Sequence, residues 1–251
     1  MKLALLSDIH ANLQAFEACI QHAQSQGADQ WALLGDLVGY GGQPREVVDL
    51  AISLVQQGAW VVQGNHDEMA VTPPTQAVTM GSSTAAWTHA QLDTTQRAFL
   101  QQNPLTVHHA HLLLVHASAH QPGLWRYVDQ ERSALQCLRA AQDVHPSTQH
   151  VFVGHVHHQC LYYPGTGRGL MAFKPTPGVA IPCPAHRAAV VTIGSVGQPR
   201  DGDPRAMYAL YDMAAARLTF HRVAYDHAAA AAAIIAAGLP AFFANRLETG
   251  H

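Results

Sequence analysis

The sequence predicts an α/β fold in which two β-sheets lie face to face with helices outside. Three observations lead there. Residues 2–62 alternate short apolar runs with amphipathic stretches, the pattern of parallel strands joined by crossover helices. From Leu105 onward the apolar runs become short and β-like, separated by Gly/Pro-rich turns. No linker or shift in composition divides the chain, so residues 1–251 are taken as one domain. A chain of 251 residues with 48% hydrophobic and 12% charged residues can bury a large core and is not disordered.

Lys2 to Ser7 is a short Leu/Ala run that suits a buried strand. Ala11 to Gln26 repeats apolar residues at helical spacing, through Leu13, Phe16, Ala18, Ile20 and Ala23, and Gly27 stops it. Trp31 to Leu34 is the next strand. Pro44 opens a second helix that carries Val47, Val48, Ala51 and Leu54 and ends at Gly58. Trp60 to Val62 is a third strand. Residues 73–103 read as helical and connecting, entered at Gly81-Ser82-Ser83 and left at Asn103-Pro104. Strands are then predicted over 105–109, 111–116, 150–153, 160–163, 189–193, 206–211 and 218–223, with one helix at 130–141. Pro164 to Pro184 is rich in Gly and Pro and reads as a long surface excursion holding one short strand. Ala228 to Ala237 is a final helix, ended by Gly238.

Composition narrows the function. A net charge of −3 provides no basic surplus for a nucleic-acid backbone, so nucleic acid is not expected as a partner. The apolar run at Met1 to Leu6 is cut by Asp8 and His10, too soon for a signal-peptide core. Ala228 to Ala237 falls short of the roughly 20 apolar residues that span a bilayer. No membrane partner is expected, and a cytoplasmic location is. The four cysteines form no C-x-x-C pair and read as free thiols. Histidine is abundant, 18 against 14 Lys and Arg, so position must decide which histidines do chemistry.

The positions are informative. The strands of the first half run into Asp8 and His10, into Gly35-Asp36, and into Gly64-Asn65-His66-Asp67. Later strands run into His116 and into Gly154-His155-Val156-His157. Ligands in open parallel sheets collect beyond the carboxyl ends of strands. Alternation along an extended chain points Asp8 and His10 the same way, and likewise His155 and His157. The glycines at 35, 64 and 154 permit sharp turns. No Lys or Arg occurs in these segments to neutralise the carboxylates, so a cation is their natural partner. Imidazole, carboxylate and amide oxygen without thiolate suit Mn, Fe or Zn. Asp8, His10, Asp36, Asn65, His116, His155 and His157 are too many ligands for one metal and suit two, an arrangement that serves phosphoryl hydrolysis.

These residues occur in an order and rough spacing that resemble the calcineurin-like metallophosphoesterase superfamily. The stretches 8–18, 35–48 and 194–212 resemble its small bacterial branch of phosphodiesterases and diadenosine-tetraphosphatase-related hydrolases. The resemblance implies a four-layer α/β/β/α sandwich and a phosphoesterase that uses a metal-bridging hydroxide. It implies that Asp8, His10 and His157 hold one metal, that Asn65, His116 and His155 hold the other, and that Asp36 bridges them. His66 would assist the leaving group and Asp67 would orient its ring. The substrate would be a small phosphomonoester, phosphodiester, phosphoprotein or dinucleoside polyphosphate. A catalytically silent scaffold of the same fold and a nuclease are the alternatives. In scaffold members the ligand set is degraded, and here it is whole.

Two departures concern the substrate. The branch often carries Gly-Ser-Pro-Arg after the strand-end histidine, where this chain has Ala117-Ser118-Ala119-His120, so His120 or Arg126 stands in question as the phosphate contact. Before Gly194-Ser195 it often has Asn-Pro, where this chain has Thr192-Ile193. Arg200 either reaches a substrate phosphate or pairs with Asp201 or Asp203, and Asn65 is a second candidate for substrate contact. Tyr40, His158 and His186 are possible edges of the site. Oligomeric state is not legible.

Overall fold

A computed structural model describes residues 1–167 and 169–251. Arg168, within the predicted excursion, lies outside the described residues. The first sheet begins with β1 (Lys2–Leu6), β2 (Gln30–Leu33) and β3 (Trp60–Val61), all parallel, connected by α1 (Leu13–Ser25) and α2 (Pro44–Gln56). Side chains alternate along β1 as a two-faced strand requires. Leu3 and Leu5 enter the core between the sheets, and Ala4 and Leu6 pack under the helices. In α1 the Asn12 side chain accepts the amide of Ala15, capping the helix whose Phe16, Cys19 and Ala23 are buried.

The chain then forms α3 (Asn65–Val71), α4 (Ala85–Gln91), α5 (Thr94–Gln102) and the hairpin β4 (Thr106–His109) and β5 (Leu112–Val115). Next come α6 (Glu131–Val144), β6 (His150–Val153), β7 (Gln159–Pro164), β8 (Leu170–Phe173), β9 (Ala180–Pro182) and β10 (Ala189–Ile193). The chain finishes with β11 (Ala206–Asp212), β12 (Arg217–Val223), α7 (His227–Ala236) and α8 (Ala241–Thr249). The first sheet has the order β3-β2-β1-β11-β12-β9 and the second β4-β5-β6-β10-β7-β8, both mixed. Ala134, Cys137, Leu138 and Ala141, one stripe of α6, cover the outer face of the second sheet. With α1 and α2 on the first sheet, the layers run α/β/β/α.

Three expectations need correction. Asn65, His66 and Asp67 do not merely follow a strand; they open α3. Residues 73–81 are not helical, because Pro73-Pro74 removes amide donors, and helical structure resumes only at Ser82. The stretch from Pro164 to Pro184 holds two strands rather than one. The first, β8, extends the second sheet, and β9 extends the first, so this segment links the two sheets at their edges. Helix α8 had no counterpart in the sequence reading, since its nine residues carry only one short apolar stripe, Phe243, Ala244 and Leu247.

Candidate active site

Because β1 and β2 are parallel, as are β5 and β6, their carboxyl ends lie at the same end of their sheets. Cross-sheet hydrogen bonds bring the two ends together: the His116 ring bonds Leu34 O at 2.7 Å, and the His155 amide donates to Asp8 Oδ2 at 2.9 Å. The local backbone is not extended. Asp8, His10, Asp36, His155 and His157 all have left-handed φ, between 51° and 64°. Such a conformation costs about 1–2 kcal/mol for a residue with a Cβ, and five of the seven expected ligands bear it. The side chains converge because the chain coils tightly here, not because a strand alternates. Two of the three glycines also act differently than expected. Gly35 does turn, at φ 82°, but Gly64 and Gly154 serve close approach. A Cβ on Gly154 would strike Ser7 Oγ and the Asp8 carboxylate, and one on Gly64 would strike Asp36.

Two ligand groups result. Asp8, His10 and His157 form one, and Asp36, His116 and His155 the other, each with donor atoms within 4.8 Å of one another. Asn65 Oδ1 joins the second at 3.2 Å from His116 Nε2. A third group, His10, Asp36 and His66, lies across the two. The hydrogen bonds behind the rings fix which nitrogen faces inward. His10 Nδ1 lies 3.1 Å from Val38 O, and His157 Nδ1 lies 2.6 Å from Gln198 O. A carbonyl only accepts, so each Nδ1 carries the proton and each Nε2 presents a lone pair. Those two Nε2 atoms are 3.2 Å apart, and His157 Nε2 is 3.1 Å from Asp8 Oδ1, a buried oxygen with no hydrogen-bond donor. Lone pairs directed at one another in a buried site are tolerated only around a cation. The donor set therefore fits a metal.

Electrostatics agree. Burial alone would raise Asp8 and Asp36, but the imidazoles around them, His157 for Asp8 and His116 for Asp36, hold both well below the usual carboxylate range. Burial opposes protonation of His116, yet the Asp36 carboxylate 3.3 Å away lifts it to about 9. A site that binds a proton this strongly has a deficit of positive charge. No Lys or Arg pairs with Asp8 or Asp36 among the described residues.

His66 stands beside both groups. Its ring packs edge-on against His10 at 5.0 Å and against Tyr40 at 4.4 Å, and its amide donates to Asp36 Oδ1 at 2.7 Å. Neither ring nitrogen has a hydrogen-bond partner among the described residues, and burial holds the ring below its ordinary pKa. Asp67 does not orient that ring. Its carboxylate accepts the amides of Leu37, Val38 and Gly64 at 2.9, 3.3 and 3.0 Å, tying the loop after β2 to the start of α3. Burial, and then the charge of Asp36, push Asp67 up to about 7.

A cavity of about 240 Å³ opens over the centre, lined by Asp36, Tyr40, Asn65, His66, His155, His157 and Arg200 together with Met69, Thr79, Gly81 and Tyr127. Arg200 thus reaches the cleft, where its guanidinium sits 5.8 Å from the Tyr40 ring centroid. It pairs with neither Asp201 nor Asp203, which are taken by Arg222 and Arg205. Arg126 is exposed and bonds Gln121, and His120 lines a separate groove along α6. Neither borders the cleft. His158 bonds the Arg200 carbonyl from an exposed position, and His186 is exposed at a distance in sequence from every cleft residue. The sequence reading missed Tyr127, whose ring stacks on His155 at 4.2 Å, and the loop residues Thr79 and Gly81. No local signal marks them, because only tertiary folding brings those loops over the centre.

A model of the calcineurin-like phosphoesterase superfamily domain matches residues 1–216. The uncharacterized protein MJ0912 of Methanocaldococcus jannaschii is 28% identical over 255 residues, which cover 99% of this chain and 98% of that protein. A metallophosphoesterase from Sphaerobacter thermophilus is 33% identical, with a TM-score of 0.86 over 100% of both chains. Hypothetical protein PH1004 from Pyrococcus horikoshii OT3, 19% identical with a TM-score of 0.75 over 100% of this chain and 98% of that one, shares the fold.

Proposed function

Because this chain belongs to the calcineurin-like phosphoesterase superfamily, we propose that it is a hydrolase of phosphoesters that works with two metal ions. The observation that carries this reading is the pair of buried ligand groups, with inward lone pairs and Asp36 lying next to both. Asp8, His10 and His157 would hold one cation, and Asn65, His116 and His155 the other, with Asp36 shared. When bound, the cations neutralise phosphoryl oxygens and lower the pKa of the water that serves as nucleophile. The ligand chemistry suits Mn, Fe or Zn alike.

The chain's own groups supply the rest. His66, which lines the cleft with neither ring nitrogen hydrogen-bonded among the described residues, hydrogen-bonds the phosphate or delivers a proton to the leaving oxygen. A phosphate dianion beside it favours its protonated form, against the burial that lowers it. Arg200 and the Asn65 amide contact phosphate oxygens. Asp67 acts one step back, holding two ligand-bearing loops in register. The cavity admits a phosphoryl group with a compact substituent, and larger phosphodiesters, phosphoproteins or dinucleoside polyphosphates would extend out past Tyr127. We also take residues 1–251 as one functional unit, since α8, beyond the span of the family model, packs Phe243 against Tyr40 at 5.0 Å.

The test is hydrolysis by chelator-stripped, Mn-reloaded protein of p-nitrophenyl phosphate, bis-p-nitrophenyl phosphate and diadenosine tetraphosphate. Turnover that returns only with metal is the expected result, and the ranking identifies the ester class. Silence on all three by protein shown to hold metal would overturn the reading.

A further inference from the structure

Asp201 and Asp203 both follow Arg200 closely in the chain, and neither neutralises it. Arg200 instead directs Nη2 to Gln198 Oε1 at 2.8 Å. The same oxygen accepts Nη1 of Arg246, which arrives from α8 at 3.2 Å. Arg246 Nε donates to the His251 backbone oxygen at 2.8 Å, and Arg200 Nε is buried with no partner. Neither guanidinium pairs with a carboxylate side chain among the described residues. Burial, and then the charge of Arg200, pull Arg246 below its ordinary value, the effect of a like charge close by.

A neutral amide is a poor choice if the only purpose is to anchor α8. Glutamate is nearly isosteric, accepts both bonds, and makes each of them charge-assisted, about twice as strong. Glutamine holds the two cations in place without discharging them. Its backbone ties their position to the first ligand group. The Gln198 carbonyl receives His157 Nδ1, its amide donates to Ser195 Oγ at 2.9 Å, and Ser195 Oγ donates to Asp8 O at 2.8 Å. Gln198 itself is only 2% exposed, so its rotamer is fixed by packing.

Resting on the hydrolytic reading above, we infer that Gln198 and Arg246 are positioning residues that set specificity. They hold Arg200 in the cleft beside a second guanidinium, with no carboxylate side chain on either among the described residues, so the site selects a phosphomonoester dianion over a phosphodiester monoanion. The discrimination lies in charge rather than shape.

p-Nitrophenyl phosphate and bis-p-nitrophenyl phosphate share a leaving group and differ by one negative charge and one aryl group, so the change in their kcat/KM ratio between variants reads the effect of charge. Wild-type protein is expected to favour the monoester. Gln198→Glu keeps both hydrogen bonds but cancels one of the pair's two positive charges, and should lower the monoester-to-diester ratio by at least about tenfold, chiefly through the monoester KM. Arg246→Gln should shift the ratio the same way. A purely structural role predicts otherwise: Gln198→Glu would raise the melting temperature and leave the ratio unchanged, and that result overturns the proposal. Metal content measured on each variant separates this effect from loss of ligands.

A second readout needs no turnover. Inorganic phosphate and dimethyl phosphate are titrated calorimetrically into metal-loaded protein at mildly alkaline pH. Preference for the dianion in the wild type, weakened at least about tenfold in Gln198→Glu, supports the site. Equal affinity for the two anions, or equal preference in both proteins, overturns it. Dianion selectivity in a protein that hydrolyses neither ester would support the anion site and overturn the hydrolytic reading.

Discussion

His10 and His157 owe their inward lone pairs to what stands behind them. Each ring spends its Nδ1 proton on a backbone carbonyl, which leaves Nε2 as an acceptor facing Asp8. His66 has no such anchor, and the family resemblance implies that it serves phosphate rather than metal. His66→Ala should therefore keep both metals by elemental analysis while losing most turnover, on the order of 10²–10⁴-fold. A rate near wild type would remove His66 from the mechanism. Asp36→Asn should lose metal and activity together if Asp36 is the carboxylate shared by both groups, as proposed, and full metal occupancy with activity in that variant would sink the shared-ligand role. These residue identities were legible in the sequence. Their left-handed backbone was not, since positive φ is uncommon for any residue with a Cβ, and Asp and His, though they tolerate it better than most, adopt it at few positions. The reading from alternation reached the right convergence by the wrong geometry.

Strands and helices with a clean period were legible almost to the residue. β6 and β10 fall where their Val/Ile/Phe runs predict, and α2 begins at its proline. Elements whose stability comes from neighbours were not legible. β9 has only three residues, and its pairing with β12 places it in a sheet remote from its chain neighbour β8. α8 is held by Phe243, Ala244 and Leu247 against α7 and Tyr40. The β4–β5 hairpin offers a test of local strain. His109 pairs with Leu112, so Ala110 and His111 form a two-residue turn, and exposed Ala110 takes φ 53°. Turns of this kind favour Gly or Asn at that position. Ala110→Gly should stabilise the protein, by up to about 1 kcal/mol in urea unfolding. A loss of stability would show that the turn is not strained.

Across the molecule, two buried histidines away from the metal ligands set an acid limit. Burial pushes His150 and His221 down to about 4 from an ordinary 6.5. Between those values the unfolded chain binds more protons than the folded one, so stability is intact above pH 6.5 and falls as pH drops toward 4. The slope approaches about 1.4 kcal/mol per pH unit for each fully buried group. Urea unfolding of chelator-treated protein across this window should be less pH-dependent in His150→Gln than in wild type, and parallel curves would clear His150 of the role. The fold as a whole came through well from sequence. Two sheets face to face with helices outside is what strand–helix alternation followed by short β runs requires, and the four layers are those of the family.

By itself the sequence determined which candidate donors the fold gathers, their order along the chain and their place beyond strands, because apolar period and residue chemistry are local properties. The tertiary structure alone decided which lone pairs face each other, that Asp67 clasps backbone amides rather than the His66 ring, and that Arg200 meets Arg246 on one glutamine oxygen. The contacts that decide these arrangements join distant residues: Leu37 and Asp67 lie 30 positions apart, Gln198 and Arg246 48, and His10 and His157 147. No local period encodes them. They follow from the packing of two sheets, which presses the loops at their ends into conformations the isolated chain would not adopt.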